Sequence, residues 1–181
     1  MSTLLPTGGP SGVSAPEQEA LAALIACSRL LANQMGRETR ANAGITISDY
    51  EIVARLAMSD GKRMRMSELA ESTQSSRSRL SHQIDRMEAA GLVRREDCDE
   101  DRRGSFAVLT PAGHALWEKA TPGTIEGIRE HFFDRISERE LEIIGRTFTK
   151  LNEHLEEVNA KPVITSGKSV SQQRGPARKS A

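Results

Sequence analysis

The stretch SSRSRLSHQIDRMEAAGLVRRE, Ser75 to Glu96, sets four serine hydroxyls and two arginine guanidiniums within its first seven residues. Arginine can offer a fork of hydrogen bonds to guanine edges, and serine can bond a base or a phosphate. A helix N-terminus adds free N–H groups and a positive partial charge, both of which favour phosphate. At 100° per residue, Leu80, Ile84 and Met87 fall in one narrow sector, the face that must pack. Ser75, Ser78, Arg79, His82, Asp85, Arg86 and Ala89 lie on the other side. The pattern suits a helix that enters the major groove by its N-terminal end, with Ser75, Ser78, Arg79, His82 and Arg86 as the candidate reading residues. A solvated helix face is the competing reading, since Arg and Ser are common there.

A second cationic element follows. Arg94 and Arg95 open an extended segment, and the charged run DCDEDRRG ends in Arg102 and Arg103. An arginine at such a tip could enter a minor groove. Glu96, Asp97, Asp99, Glu100 and Asp101 surround the pair, so this is no simple basic patch. Asp101, two residues before Arg103, could instead hold that guanidinium in one orientation through a bidentate pair.

Other chemistries find little support. There is no glycine-rich phosphate loop, nucleophile elbow or pair of catalytic carboxylates, so an enzyme is not expected and no cofactor is called for. Cys27 and Cys98 form no metal or redox spacing, and His114, His131 and His154 have no ligand spacing. Cys27, within an apolar helix, is expected to be buried packing; Cys98 is expected to be more exposed, its thiolate disfavoured by neighbouring carboxylates.

The elements that must position these residues follow from periodicity. Glu17 to about Asn42 reads as a helix through Leu21, Leu24, Ile25, Leu31 and Met35. Ser48 with Glu51 is a capping box for a second helix through Tyr50, Ile52, Val53 and Leu56. Ser67 is expected to cap a short third helix carrying Leu69 and Ala70. The serine- and arginine-fronted helix comes next, and Gly91 ends it. LVRRE and SFAVLT then read as the strands of a β-hairpin with a long polar tip. Thr110-Pro111 starts a helix with Leu116 and Trp117, which Pro122-Gly123 should break or kink. Ser137 with Glu140 opens a last amphipathic helix through Leu141, Ile144, Phe148, Leu151 and Leu155. Short helix, tight turn, helix and hairpin make a winged helix-turn-helix.

Of the 181 residues, 37% are apolar, low for a compact globule, so flexible arms are expected at the ends. The expected organisation is an arm over 1–16, a dimerisation helix over 17–45, a winged helix-turn-helix over 46–110, C-terminal dimerisation helices over 111–159 and a basic tail over 160–181. Net charge is zero, so any nucleic-acid affinity must come from local geometry. No apolar run approaches a membrane span, and two cysteines without an export signal point to the cytoplasm.

The stretches ISDYEIVARL, RMSELAESTQSSRSRLSHQIDRMEAAGLVRRE and DEDRRGSFAVLTPAGHAL together resemble the MarR (multiple antibiotic resistance regulator) family of bacterial transcription factors. The resemblance rests on Tyr50, Glu68-Leu69-Ala70, Ser78, Asp85-Arg86, Gly91-Leu92-Val93, Asp101-x-Arg103 and Leu109-Thr110-x-x-Gly113, and spans about Glu17 to Val158. It implies a mainly α fold with a small hairpin, and a homodimer whose N- and C-terminal helices intertwine. It further implies a wing whose Arg103, supported by Asp101, contacts the minor groove, and binding to a pseudo-palindromic double-stranded operator, usually as a repressor. A small organic effector, or cysteine oxidation in some members, would release the DNA. Tyr50, His114 and Trp117 could line an effector site, though each also suits the core. Four positions depart from the family pattern. His82 stands where Arg or Lys is frequent, Gln83 where an aliphatic residue is, Ala107 where Val is, and Cys27 is displaced from the redox position near Leu21. A winged helix that serves only as a protein-docking module is the alternative outside DNA binding.

Overall fold

The computed structural model describes residues 12–98 and 101–159, with the side chains of 101–103 left outside that description. The expected basic tail and most of the N-terminal arm therefore lie outside the described residues. Helix α1 (Ala15–Ala43) starts where the Glu17 carboxylate accepts the Ser14 N–H and hydroxyl, each at 2.7 Å. Helix α2 (Ile47–Met58) is capped by Thr46, not Ser48: the Thr46 hydroxyl accepts the Asp49 N–H at 3.1 Å. Thr46/Asp49 and Ser48/Glu51 share the same three-residue spacing, and the chain enters the helix at the first of them.

A strand that was not legible in the sequence follows. β1 (Arg63–Arg65) pairs antiparallel with β3 (Asp101–Leu109), which also pairs antiparallel with β2 (Val93–Cys98). The sheet thus has three strands in the order β1-β3-β2 where a two-stranded hairpin was expected. The paired strands reach Cys98 and Asp101, with a register shift at Asp97/Cys98, so much of the expected polar tip is ladder. β1 leads straight into α3 (Met66–Ser72), so that helix begins before Ser67; the Glu68 carboxylate accepts the Arg65 N–H at 3.3 Å.

Helix α4 (Arg77–Ala89) ends as expected at Gly91, whose φ of 73° is the left-handed conformation that glycine adopts without strain. Helix α5 (Pro111–His131) starts at Thr110, whose hydroxyl accepts the Gly113 N–H and donates to the carbonyls of Gly91 and Leu92. Gly113 is where α5 meets the α4–β2 turn: a Cβ there would run into the Leu92 carbonyl and lie 2.7 Å from Leu109 Cδ1. Of the break or kink expected at Pro122, the break does not occur: Pro122 lies inside α5, which continues to His131. Pro122 and Glu118 are both exposed, so the carbonyl that the proline leaves unpaired can bond water. On the packed side, a Cβ at Gly123 would come within 3.1 Å of Asn42, and one at Gly127 would meet Glu38, so this glycine face admits α1 closely.

One continuous core lies under α4. Ile52, Val53 and Leu56 of α2, Leu69 of α3, Leu80, Ile84 and Met87 of α4, and Val93, Ala107 and Leu109 of the sheet are all buried. Met35 and Thr39 of α1, with Ala120 and Thr124 of α5, form a smaller buried set. Helix α6 (Glu138–Asn159) belongs to a second unit that begins at Ser137, and none of its residues is buried. Its start is the expected capping box, with the Glu140 carboxylate accepting the Ser137 N–H at 2.8 Å.

Candidate nucleic-acid interface

Leu80, Ile84 and Met87 hold α4 on the core and leave its N-terminal half outward. The Ser76 hydroxyl caps the helix, accepting the Arg79 N–H at 3.3 Å. Arg77, Ser78, Arg79 and His82 are all exposed along the first two turns. Ser75 differs from its sequence placement: it is half-buried in the turn before the helix, its N–H bonded to the Ala70 carbonyl at 2.9 Å. Arg86 is exposed, but its Nη2 lies 3.8 Å from Asp49 Oδ1 on α2.

Between α4 and the sheet runs a polar cleft of about 450 Å³, lined by Arg65, Arg77 and Arg95 together with Ser67, Ser81 and Ser105. Three arginines, from β1, α4 and β2, therefore line one space. Arg65 and Arg77 were missed as site residues. Arg77 lies in the quoted serine-arginine run and could have been found there; Arg65 needed β1 to be recognised. Phe106 of β3 pairs with Arg65 of β1, and the Arg63 and Arg65 guanidiniums lie 4.8 and 5.3 Å from its ring centre.

Arg94 and Arg95 have partners of their own. Arg95 Nη2 donates to the Ser81 carbonyl and hydroxyl, each at 3.0 Å, and to Asp85 Oδ1 at 2.7 Å. Its backbone N–H donates to the Glu88 carboxylate at 2.8 Å, so Arg95 joins the wing's first strand to α4. Arg94 pairs with Glu96. The backbone of Asp101, Arg102 and Arg103 opens β3, the second wing strand; their side chains lie outside the described residues.

The cysteines exchange their expected environments. Cys27 is exposed on α1, and Cys98 is buried at the end of β2, where the register with β3 shifts. Tyr50 and Trp117 are half-buried; the Tyr50 and Thr121 hydroxyls are 3.1 Å apart, and Trp117 packs on the core beside His114. Among the described residues there is no cluster able to hold a metal, and no helix is long and apolar enough to cross a membrane.

Comparison with known proteins bears on this geometry. A model of the MarR family matches residues 43–104. The transcriptional regulator HosA of Escherichia coli is 32% identical over 107 residues, which cover 59% of this chain and 77% of that protein. The structure of AbsC, a MarR family transcriptional regulator from Streptomyces coelicolor, is 43% identical with a TM-score of 0.77, over 80% of this chain and 97% of that one. Sco3205, another such regulator from Streptomyces coelicolor, solved in complex with DNA, is 34% identical with a TM-score of 0.79, over 87% and 96%.

Proposed function

We propose, from the premise that the chain belongs to the MarR family of transcriptional regulators, that it is a homodimeric repressor of a pseudo-palindromic operator released by a small organic effector. The observation that carries the DNA-binding part is the exposed N-terminal half of α4 beside a cleft lined by three arginines. Ser78, Arg79 and His82 meet base edges in the major groove, with Ser75 at the helix entrance. Arg65 and Arg77 add phosphate contacts. Arg102 and Arg103 of the wing reach the minor groove or backbone, with Asp101 orienting Arg103.

The homodimer is supported by the seam of α6. Leu141, Ile144, Phe148, Leu151, Leu155 and Val158 alternate spacings of three and four, the pattern of a helix that packs along another helix. Phe148, Leu151, Leu155 and Val158 are 39–53% exposed in the single chain, so this stripe has its burial still to gain. Leu21, Leu24 and Leu30 of α1 and Ile125 of α5 are exposed as well. Repression and effector release follow the family.

The test is selection of bound fragments from genomic DNA followed by footprinting. Two related half-sites about 10 bp apart, centre to centre, are expected. Arg79→Ala should relax one base position and cost about 1–3 kcal/mol, and Arg103→Ala should lower affinity by about tenfold or more with an unchanged melting temperature. Failure to enrich any sequence would retire the reading.

A further inference from the structure

Gln83 is the only polar side chain buried on α4, 7% exposed in a row otherwise filled by Leu80, Ile84 and Met87. A buried amide without a partner is costly, so what it bonds to matters. Its Nε2 donates to Asp49 Oδ1 at 2.9 Å. The other carboxylate oxygen of Asp49 accepts the Thr46 N–H at 3.4 Å, closing the cap of α2. One half-buried carboxylate therefore divides its oxygens between the start of α2 and the middle of α4, and Arg86 reaches the Gln83-bound oxygen. The next residue, Tyr50, bonds Thr121 of α5 through its hydroxyl, so the first turn of α2 ties α5 to α4.

We propose that Asp49 and Gln83 are positioning residues that set the roll of α4 in the groove, and that Arg86 belongs to this anchor and not to the base-reading face. This rests on the reading that α4 enters the major groove. Apolar contacts through Leu80, Ile84 and Met87 are non-directional and tolerate rotation of the helix about its axis. A hydrogen bond to a side chain on another helix does not. A roll of about 10° moves a side-chain tip about 6 Å from the axis by roughly 1 Å, enough to spoil hydrogen bonds to base edges. Arg86 lies seven residues beyond Arg79, about 10 Å further along the helix, away from the end that enters the groove.

The test uses the full chain with two probes: a duplex that the wild type selects from a random-sequence pool, and a scrambled duplex. Gln83→Met keeps the volume and removes the directional bond. Asp49→Ala removes the acceptor, and Asp49→Asn keeps it. Gln83→Met and Asp49→Ala should each lose about tenfold in affinity for the selected duplex. They should bind the scrambled duplex as the wild type does, whereas simple loss of folded protein would weaken both. Asp49→Asn should restore most of the selected affinity. Arg86→Ala should select the same sequence with the same salt dependence. The anchor is overturned if Gln83→Met and Asp49→Ala bind the selected duplex like wild type. It is also overturned if Arg86→Ala relaxes a base position or lowers the salt slope by about one, the mark of a direct DNA contact. A wild-type protein that selects no sequence removes the regulatory reading and the anchor with it; unaffected variants beside a selective wild type remove the anchor alone.

Discussion

The winged region and the last helix both carry apolar stripes at helical spacing, yet their fates differ. Leu80 and Ile84 of α4 are fully buried within one chain, while α6 carries Phe148, Leu151 and Leu155 at comparable spacing with no residue buried. Around α4, the complementary surfaces of α2, α3 and the sheet belong to the same chain. Amphipathic period shows that a face must be covered and says nothing of what covers it. The packed face of α4 is covered within the chain, whereas the apolar stripe of α6 is left exposed.

The comparison can be broken most directly at α6. Phe148→Glu combined with Leu151→Glu should turn a dimer into a monomer in sedimentation and reduce operator affinity by about a hundredfold or more, since two linked half-site contacts become one. The circular dichroism of the winged region should persist. A dimer that survives both substitutions would show that α6 is not the seam. Gly113→Ala probes the other side. With the Leu92 carbonyl in its way, the new methyl should destabilise the winged region by about 1–3 kcal/mol in urea titration without changing oligomer size. Unchanged stability would mean that the α5–β2 junction is looser than the packing implies.

The smallest effect concerns Glu38, where α1 meets α5. Hydrogen bonding from His131, at 2.7 Å, and then from Gln34 holds the Glu38 carboxyl below its ordinary value of 4.5. A carboxyl lowered on folding contributes stability that is present above its unfolded pKa and is lost as pH falls through the folded one. Between about pH 6 and pH 3 the melting temperature of the wild type should therefore fall more than that of Glu38→Gln. Parallel curves would assign the pair no part in acid stability.

Much of α4 was legible because its residues answer local rules. Leu80, Ile84 and Met87 recur at helical spacing, Gly91 supplies a left-handed stop, and Thr110-Pro111 a helix start, and each is found in that role. The exposure of Ser78, Arg79 and His82 follows from the same period. Where two local signals tie, as with Thr46/Asp49 and Ser48/Glu51, the sequence cannot rank them. β1 escaped because three residues, two of them arginines, form a strand only when β3 lies alongside. Arg65 of the cleft escaped with it.

The residue types on each face of α4, and the order of helix, turn, helix and wing, were determined by the sequence alone, because periodicity and caps act over a few neighbours. Tertiary structure decided the rest. It brought Arg65, Arg77 and Arg95 to one cleft and gave Gln83 the Asp49 carboxylate. It also spent Arg95 on bracing the wing, let α5 run through Pro122, and reversed the environments of Cys27 and Cys98. Each of these depends on which surface comes to lie against which across tens of residues. Side-chain type constrains that choice, and only the packed chain settles it.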